Sequence, residues 1–222
     1  MIYAIIPAFN EEENIKEVIL RTKKYVNKII VIDDGSKDKT SAVAKKAGAI
    51  VLSHKKNKGK GEGIRTAISF LKNKKYDYVV IIDADLQMYP EDTPKIIKKL
   101  KSGYDFVMGS RDMKTLPFRH RLGNLVWRTS FNIMFGSDMS DTNCGFIGFS
   151  KKTASKLRFV GGYIIETTMI ASAIRNNLRV TNVPVRVKYH QISKVSRGMR
   201  VVTGVLISII VDGIKYRLGI RP

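Results

Sequence analysis

The sequence predicts an α/β fold, a mostly parallel sheet with helices on both faces, and three features carry that prediction. Short apolar runs alternate with longer helix-like stretches through the first half of the chain. The runs break off into small, polar or acidic residues, as at Asp33-Asp34-Gly35-Ser36 and Asp83-Ala84-Asp85. No linker, repeat or low-complexity segment divides the 222 residues, and 44% hydrophobic with 27% charged residues is a globular composition.

Taken in order, residues 2–6 (Ile-Tyr-Ala-Ile-Ile) form the first apolar run, and Pro7-Ala8-Phe9 turns into Asn10-Glu11-Glu12-Glu13. Asn10 as N-cap with Glu13 three residues later resembles a capping box, opening a helix toward Tyr25. Residues 28–33 read as a second strand. A helix from about residue 38 closes at Gly48, which suits the C′ position. Residues 49–53 give a third strand, and a Lys/Gly loop leads into a helix through Ile64, Ala67, Ile68 and Leu71. Residues 76–82 are a fourth strand and 105–109 a further one, leading to Ser110-Arg111. Residues 118–135 form a basic, apolar-rich helix, 144–150 a strand, 164–176 a helix, and 179–190 an extended strand. In such sheets ligands sit beyond the carboxyl ends of the strands, which collects the loops at 7–10, 33–36, 54–63 and 83–87.

The charge balance is extreme, 40 Lys+Arg against 19 Asp+Glu for a net +21. Glu166 and Asp212 are the only acids in the last third. Such a field attracts polyanions: nucleotides, nucleic acid or anionic lipid. A nucleic-acid-binding module would leave the acidic strand ends unexplained, because they repel phosphates, so no nucleic-acid partner is expected. Cys144 is the single cysteine, which excludes an internal disulfide and fits a reducing compartment. The chain enters a strand at once, so no signal peptide is expected.

Two carboxylates at the open end of the fourth strand, Asp83 and Asp85, are costly to bury unpaired. A hard divalent cation such as Mg²⁺ resolves that cost and still holds substrate phosphates. A polar strand-to-loop exit accounts for the same residues, and at this point both readings stand. Asp34 is placed to accept hydrogen bonds from a ribose hydroxyl or a base N–H, and Asp at a strand end is also a common helix-entry turn. Asn57-Lys58-Gly59-Lys60-Gly61-Glu62-Gly63 has neither the Walker spacing nor a G-x-G-x-x-G in the first βα turn, which disfavours a kinase-like NTPase or a dinucleotide dehydrogenase. Its glycines still admit a ligand close to the backbone, and Lys60 is placed to meet a diphosphate.

Ile6-Pro7-Ala8-Phe9-Asn10-Glu11-Glu12, Val31-Ile32-Asp33-Asp34-Gly35-Ser36, Asn57…Gly59-Lys60-Gly61 and Asp83-Ala84-Asp85-Leu86-Gln87 occur in that order. Together they resemble the GT-A glycosyltransferases of family 2, especially dolichyl-phosphate mannose or glucose synthases and related polyprenyl-phosphate sugar synthases. The resemblance implies one GT-A domain over residues 1–222, with a nucleotide-binding half to about 112 and an acceptor-binding half over about 113–198; a membrane-surface helix over about 199–218 is one reading of the apolar run and basic flanks that follow. The resemblance also implies that Pro7, Ala8, Asn10, Glu11, Asp34, Lys60 and Asp83 meet the nucleotide, and that Asp83, Asp85 and Gln87 hold Mg²⁺ or Mn²⁺. It further implies that Arg111, Arg121 and a C-terminal basic residue, Lys194, grip the acceptor phosphate. Arginine suits that task through its planar fork. Asp85, Arg111 and Arg121 would then be the catalytic residues. Arg119, Arg128 and Arg197 are weaker candidates for the same phosphate, with a solvated surface the favoured reading of each; His54 reads as a nucleotide-loop residue and His120 as surface. Relatives with Arg-x-x-Gly-x-Ser-Lys near Lys194 differ from this chain, which has Tyr189-His190-Gln191-Ile192-Ser193-Lys194.

The implied reaction is inverting transfer of a sugar from a UDP- or GDP-sugar to dolichyl or another polyprenyl phosphate. A phosphate monoester is already nucleophilic and needs no protein base. A carbohydrate hydroxyl acceptor would need a carboxylate base, for which Asp138 and Asp141 are the nearby choices. The partners implied are the donor, the lipid acceptor and a membrane surface, with the protein peripheral on the cytoplasmic face. Residues 201–211 are mostly apolar with basic flanks, but as a helix they span only about 17 Å of a roughly 30 Å hydrocarbon core. Lying at an anionic membrane, packing on the protein and packing on a second subunit are the readings open for this segment.

Overall fold

The computed structural model describes residues 1–113, 118–159, 165–188 and 199–220. Among the described residues seven strands make one sheet, β1 (Ile2–Ala8), β2 (Lys28–Asp33), β3 (Ile50–Ser53), β4 (Tyr78–Ile81), β5 (Phe106–Ser110), β6 (Ile147–Ser150) and β7 (Val180–Pro184), in the order β3-β2-β1-β4-β6-β5-β7. Every strand runs the same way except β6, which is antiparallel to both β4 and β5. The mostly parallel sheet expected from the sequence is therefore present. Its central strands are apolar on both faces, with Ile5, Ile6, Ile30, Val31, Val80 and Ile81 wholly buried.

Between the strands lie α1 (Ile15–Thr22), α2 (Thr40–Lys46), α3 (Lys60–Leu71) and α4 (Thr93–Lys101), and later α5 (Phe118–Phe135), α6 (Lys151–Ala154), α7 (Ile165–Arg175) and α8 (Met199–Arg217). Gly63 of α3 rests against the Ile32 side chain, and Ile96 and Leu100 of α4 pack over Gly148. Ile32 aligns with Pro7, whereas Gly148 aligns through Val80 with Ala4. Positions 4 and 7 point to opposite faces of a strand, so α3 and α4 cover opposite sides of the sheet.

Local expectations meet tertiary structure with mixed results. Gly48 (φ 88°) closes α2 as C′: its N–H reaches Lys45 O, and Ala49 N reaches Ala44 O, the paired bonds of a Schellman ending. Asn10 is not an N-cap. It sits at φ 55°, Asn14 is the cap residue of α1, and the Asn10 side chain accepts the Lys37 N–H. Pro7 and Ala8 belong to β1 rather than to a loop. Ile5 O accepts the Ile82 N–H, so odd positions of β1 face β4, and β4 has ended at Ile81 where proline would owe it a donor. Of the extended segment expected over 179–190, residues 180–184 are β7 and Val187 bridges Met88, while 189–190 lie outside the described residues. β6 begins at Ile147, and its reversed direction follows from a chain that leaves β5 and re-enters the sheet from the same edge.

The apolar run at 201–211 lies within α8, whose inner face packs on α5. Phe131 stacks on Phe135 and Phe135 on Tyr216, at 4.5 and 5.5 Å between ring centres, and Arg217 donates to the Ile133 and Met134 carbonyls at the end of α5. Ile207, Ile210, Val211 and Ile214 of α8 and Leu218 just beyond it are exposed, as are Leu122, Leu125, Val126 and Ile133 of α5. Among the described residues no helix is long and apolar enough to cross a membrane.

Candidate active site

Asp83 and Asp85 follow β4 as expected, at the carboxyl edge of the sheet. The turn holding them is tight: Leu86 adopts φ 58°, and the Gln87 N–H donates to Asp85 Oδ1 at 3.1 Å. Gln87 thus braces the pair through its backbone. Burial and the neighbouring Asp83 charge push the Asp85 carboxyl up to about 6.

The residues after this turn are clamped. Lys188 N donates to Gln87 O at 2.8 Å, and the guanidinium groups of Arg21 and Arg186 lie 5.5 and 5.0 Å from the Tyr89 ring centre. Arg21 pairs with Glu91, and Arg186 pairs with the fully buried Asp92, both at 2.8–2.9 Å. Burial alone would raise Asp92, but the Arg186 fork, its backbone N–H and Lys95 hold it below its usual 3.8. A depressed carboxyl contributes stability that is present above pH 3.8 and lost as pH falls through its lower folded value. Asp92→Asn is therefore expected to be less stable than wild type in urea unfolding at pH 7, with the gap narrowing at pH 3; an equal gap at both would contradict it.

Lys60 opens α3 and its Nζ lies 2.5 Å from Asp83 Oδ1 and 2.6 Å from Glu166 Oε1. Burial alone would lower this ammonium, but the charges of Asp83 and Glu166 outweigh it and hold it well above the ordinary lysine range. Glu166 comes from the first turn of α7 and is buried. Sequence reasoning missed it. Its signal was an acid set in the apolar run Ile164-Ile165-Glu166-Thr167-Thr168-Met169-Ile170, where a buried charge needs a partner. Gly145 lies against the same cluster, and a Cβ there would collide with the Asp83 carboxylate and crowd Lys60 Nζ.

The loops after β1 and β2 interlock. Asn10 N donates to Ser36 Oγ at 2.9 Å, Glu11 N donates to Thr40 Oγ1 at 2.8 Å, and the Glu11 charge is felt at Asp85. Asp34 is buried and accepts the Lys58 and Gly59 N–H groups, at 2.9 and 2.7 Å, with His54 Nδ1 2.7 Å away. Asp34 therefore folds the 57–59 loop, and His54 is packed against it.

Arg111 donates through Nε and Nη2 to Asp141, at 2.7 and 3.0 Å, with side-chain exposures of 10% and 1%. The fork expected to grip phosphate thus binds a buried carboxylate, and Asp141 holds an arginine in place. Beside it a cavity of about 350 Å³ is lined by Asp112, Met113, Arg121, Asn124, Leu125 and Arg128. The structure brings Arg121 and Arg128 together on this cavity. Residues 141–145 connect the two regions, with Asp141 on Arg111 and Gly145 on Asp83. Lys194 and Arg197 lie outside the described residues, as do the side chains of Arg119 and His120. Cys144 is buried, and burial pushes its thiol up to about 12.

A divalent cation fits this donor set. Asp83 and Asp85 repel one another, and the missing side chain at Gly145 leaves room for the Asp83 carboxylate. Among the described residues no three His, Cys, Asp or Glu side chains form a complete metal cage. Mg²⁺ binds through one or two carboxylates and completes its shell with substrate phosphates and water, so the Asp83–Asp85 pair is chemically sufficient as the protein's share.

The family model described as glycosyl transferase family 2 matches residues 3–158. The chain belongs to that family. This glycosyltransferase is 31% identical over 232 residues to the UDP-N-acetylglucosamine–dolichyl-phosphate N-acetylglucosaminyltransferase of Methanococcus voltae, covering 92% of each chain. It is 37% identical over 216 residues to an uncharacterized protein of Methanocaldococcus jannaschii, covering 91% of this chain and 87% of that one. The crystal structure of glucosyl-3-phosphoglycerate synthase from Mycobacterium tuberculosis, in complex with Mn²⁺, UDP and phosphoglyceric acid, matches 100% of the transferase and 80% of that chain. The TM-score is 0.74 at 22% identity, a likeness of fold that makes the sheet a GT-A sheet.

Proposed function

We propose that this transferase moves a sugar from a UDP- or GDP-sugar to the phosphate of dolichol or another polyprenol, inverting the anomeric carbon, with Mg²⁺ or Mn²⁺ as cofactor. The observation that carries the reading is the cavity beside Arg111. Arg121 and Arg128 outnumber the one acid, Asp112, and Met113 and Leu125 give an apolar wall, a pairing suited to a phosphate on an isoprenoid chain. The dolichyl-phosphate acceptor in the name of the Methanococcus voltae relative supports it. A hydroxyl acceptor is less well served, because Asp141 is committed to Arg111, Glu166 is committed to Lys60, and Asp138 is exposed.

In this scheme residues 1–112 form the donor half. Asn10, Glu11 and Asp34 frame the nucleoside with Pro7 and Ala8, and Lys60 faces the diphosphate. Asp83 and Asp85, braced by Gln87, hold the cation, which when bound supplies Lewis-acid stabilisation of the leaving diphosphate. Residues 113–198 form the acceptor half, in which Arg121, Arg128 and Lys194 orient the lipid phosphate and Asp141 fixes Arg111 at its edge. An acceptor oxygen bonds to the sugar C1 as the C1–O bond to diphosphate breaks, its electron pair leaving with the nucleoside diphosphate. No protein base is needed. The exposed apolar faces of α5 and α8, with basic Arg121, Lys215 and Arg217 among them, would rest on an anionic membrane surface on the cytoplasmic side.

Incubation of the purified protein with labelled UDP- and GDP-sugars, Mn²⁺ and a short polyprenyl phosphate is expected to give labelled lipid. Label appearing only in soluble carbohydrate acceptors, or no lipid product from any donor, would contradict the acceptor assignment.

A further inference from the structure

We infer that Lys60 is a resident cation that keeps Asp83 neutralised until a divalent cation arrives together with nucleotide, and that Glu166 is the berth to which it retreats. The inference rests on the proposed cation site. Lys60 is anchored at its backbone: it begins α3 directly after Gly59, whose φ is 89° and whose N–H is held by Asp34 at 2.7 Å. Only its side chain is left to move. That side chain ends 2.5 Å from Asp83 Oδ1.

A cation bound to Asp83 at about 2.0–2.1 Å would share a carboxylate with this ammonium. Two positive charges that close repel one another strongly, the more so away from bulk water. Dication entry and the Lys60–Asp83 contact are therefore antagonistic. Lys60 does not have to leave the site, because Glu166 offers a second partner at 2.6 Å. That berth is fixed: Glu166 is buried in the first turn of α7, and the next residue, Thr167, bonds to Thr142 O at 3.2 Å.

A nucleoside diphosphate changes the balance by bringing negative charge to both the dication and the freed ammonium. Cation and nucleotide should then strengthen each other's binding by the same factor, as linkage requires. Lys60 acts here as a positioning residue that sets the order of binding, and its later place is against the diphosphate.

The test is Mn²⁺ binding to the full chain, read by electron paramagnetic resonance with and without UDP or GDP, for wild type, Lys60→Met and the double variant Lys60→Met/Glu166→Gln. The double variant removes one positive and one negative charge, so the net charge of the cluster is unchanged. It also spares the fold the unbalanced acids of the single variant, and thermal melts verify folding. Without nucleotide, the double variant is expected to bind Mn²⁺ about tenfold more tightly than wild type, and the gain from nucleotide to shrink by a similar factor. Equal affinities without nucleotide, with nucleotide-dependent Mn²⁺ binding retained in wild type, would overturn the inference and leave the cation site standing. No Mn²⁺ binding by wild type even with nucleotide would overturn both.

Discussion

Replacing Asp85 with Asn is expected to lower the rate of sugar transfer by about 10³-fold without loss of fold, an effect in the range of removing one preorganised charge-stabilising group. The structure gives the reason. Asp85 is held by the Gln87 N–H beside Asp83, so it is not free to serve as a surface charge, and burial together with the Asp83 charge pushes its carboxyl up to about 6. The stability consequence has the opposite sign from that of most buried carboxylates. A carboxyl raised above its unfolded 3.8 costs stability while ionised, and the cost is relieved as pH falls through about 6 toward 3.8. At pH 7 the Asn variant should melt no lower than wild type. Transfer rates within tenfold of wild type at saturating Mn²⁺ would show that Asp85 does not hold the cation.

Asp141→Ala is expected to cost about 3–5 kcal/mol, because it leaves the Arg111 guanidinium buried without its carboxylate. Two features set this loss above that of a surface pair: the contact is bidentate, and Asp141 also accepts the Arg111 and Asn143 backbone N–H groups. Urea unfolding measures it. Were Asp141 instead the base for a hydroxyl acceptor, Asp141→Asn would abolish turnover and leave stability intact. An Ala variant that unfolds with wild type would contradict the structural role of Asp141.

What was legible in the sequence was whatever local pattern determines. β2 over Lys28–Asp33 and α5 over Phe118–Phe135 lie where apolar runs and their flanks put them, and Gly48 ends α2 by a conformation few other residues tolerate. The acid pair at the end of β4 was legible because charge next to a buried strand has few explanations. The failures are long-range. Asn10 carries the local signature of a cap, yet its side chain is taken by Lys37 across the sheet edge, 27 residues away. Glu166 meets Lys60 across 106 residues, and Asp141 meets Arg111 across 30, distances at which periodicity says nothing about partners. The antiparallel course of β6 was hidden for a related reason, since four buried residues read alike in either direction.

The proposed chemistry depends above all on Asp83 and Asp85 presenting a divalent cation to the donor diphosphate. Anomalous diffraction at a manganese-sensitive wavelength, from crystals grown with Mn²⁺ and UDP or GDP, tests this most directly. One manganese peak is expected at ordinary ligand distance, about 2.0–2.2 Å, from a carboxylate oxygen of this pair and from oxygens of the diphosphate. Nucleotide bound beside carboxylates that carry no manganese would contradict it.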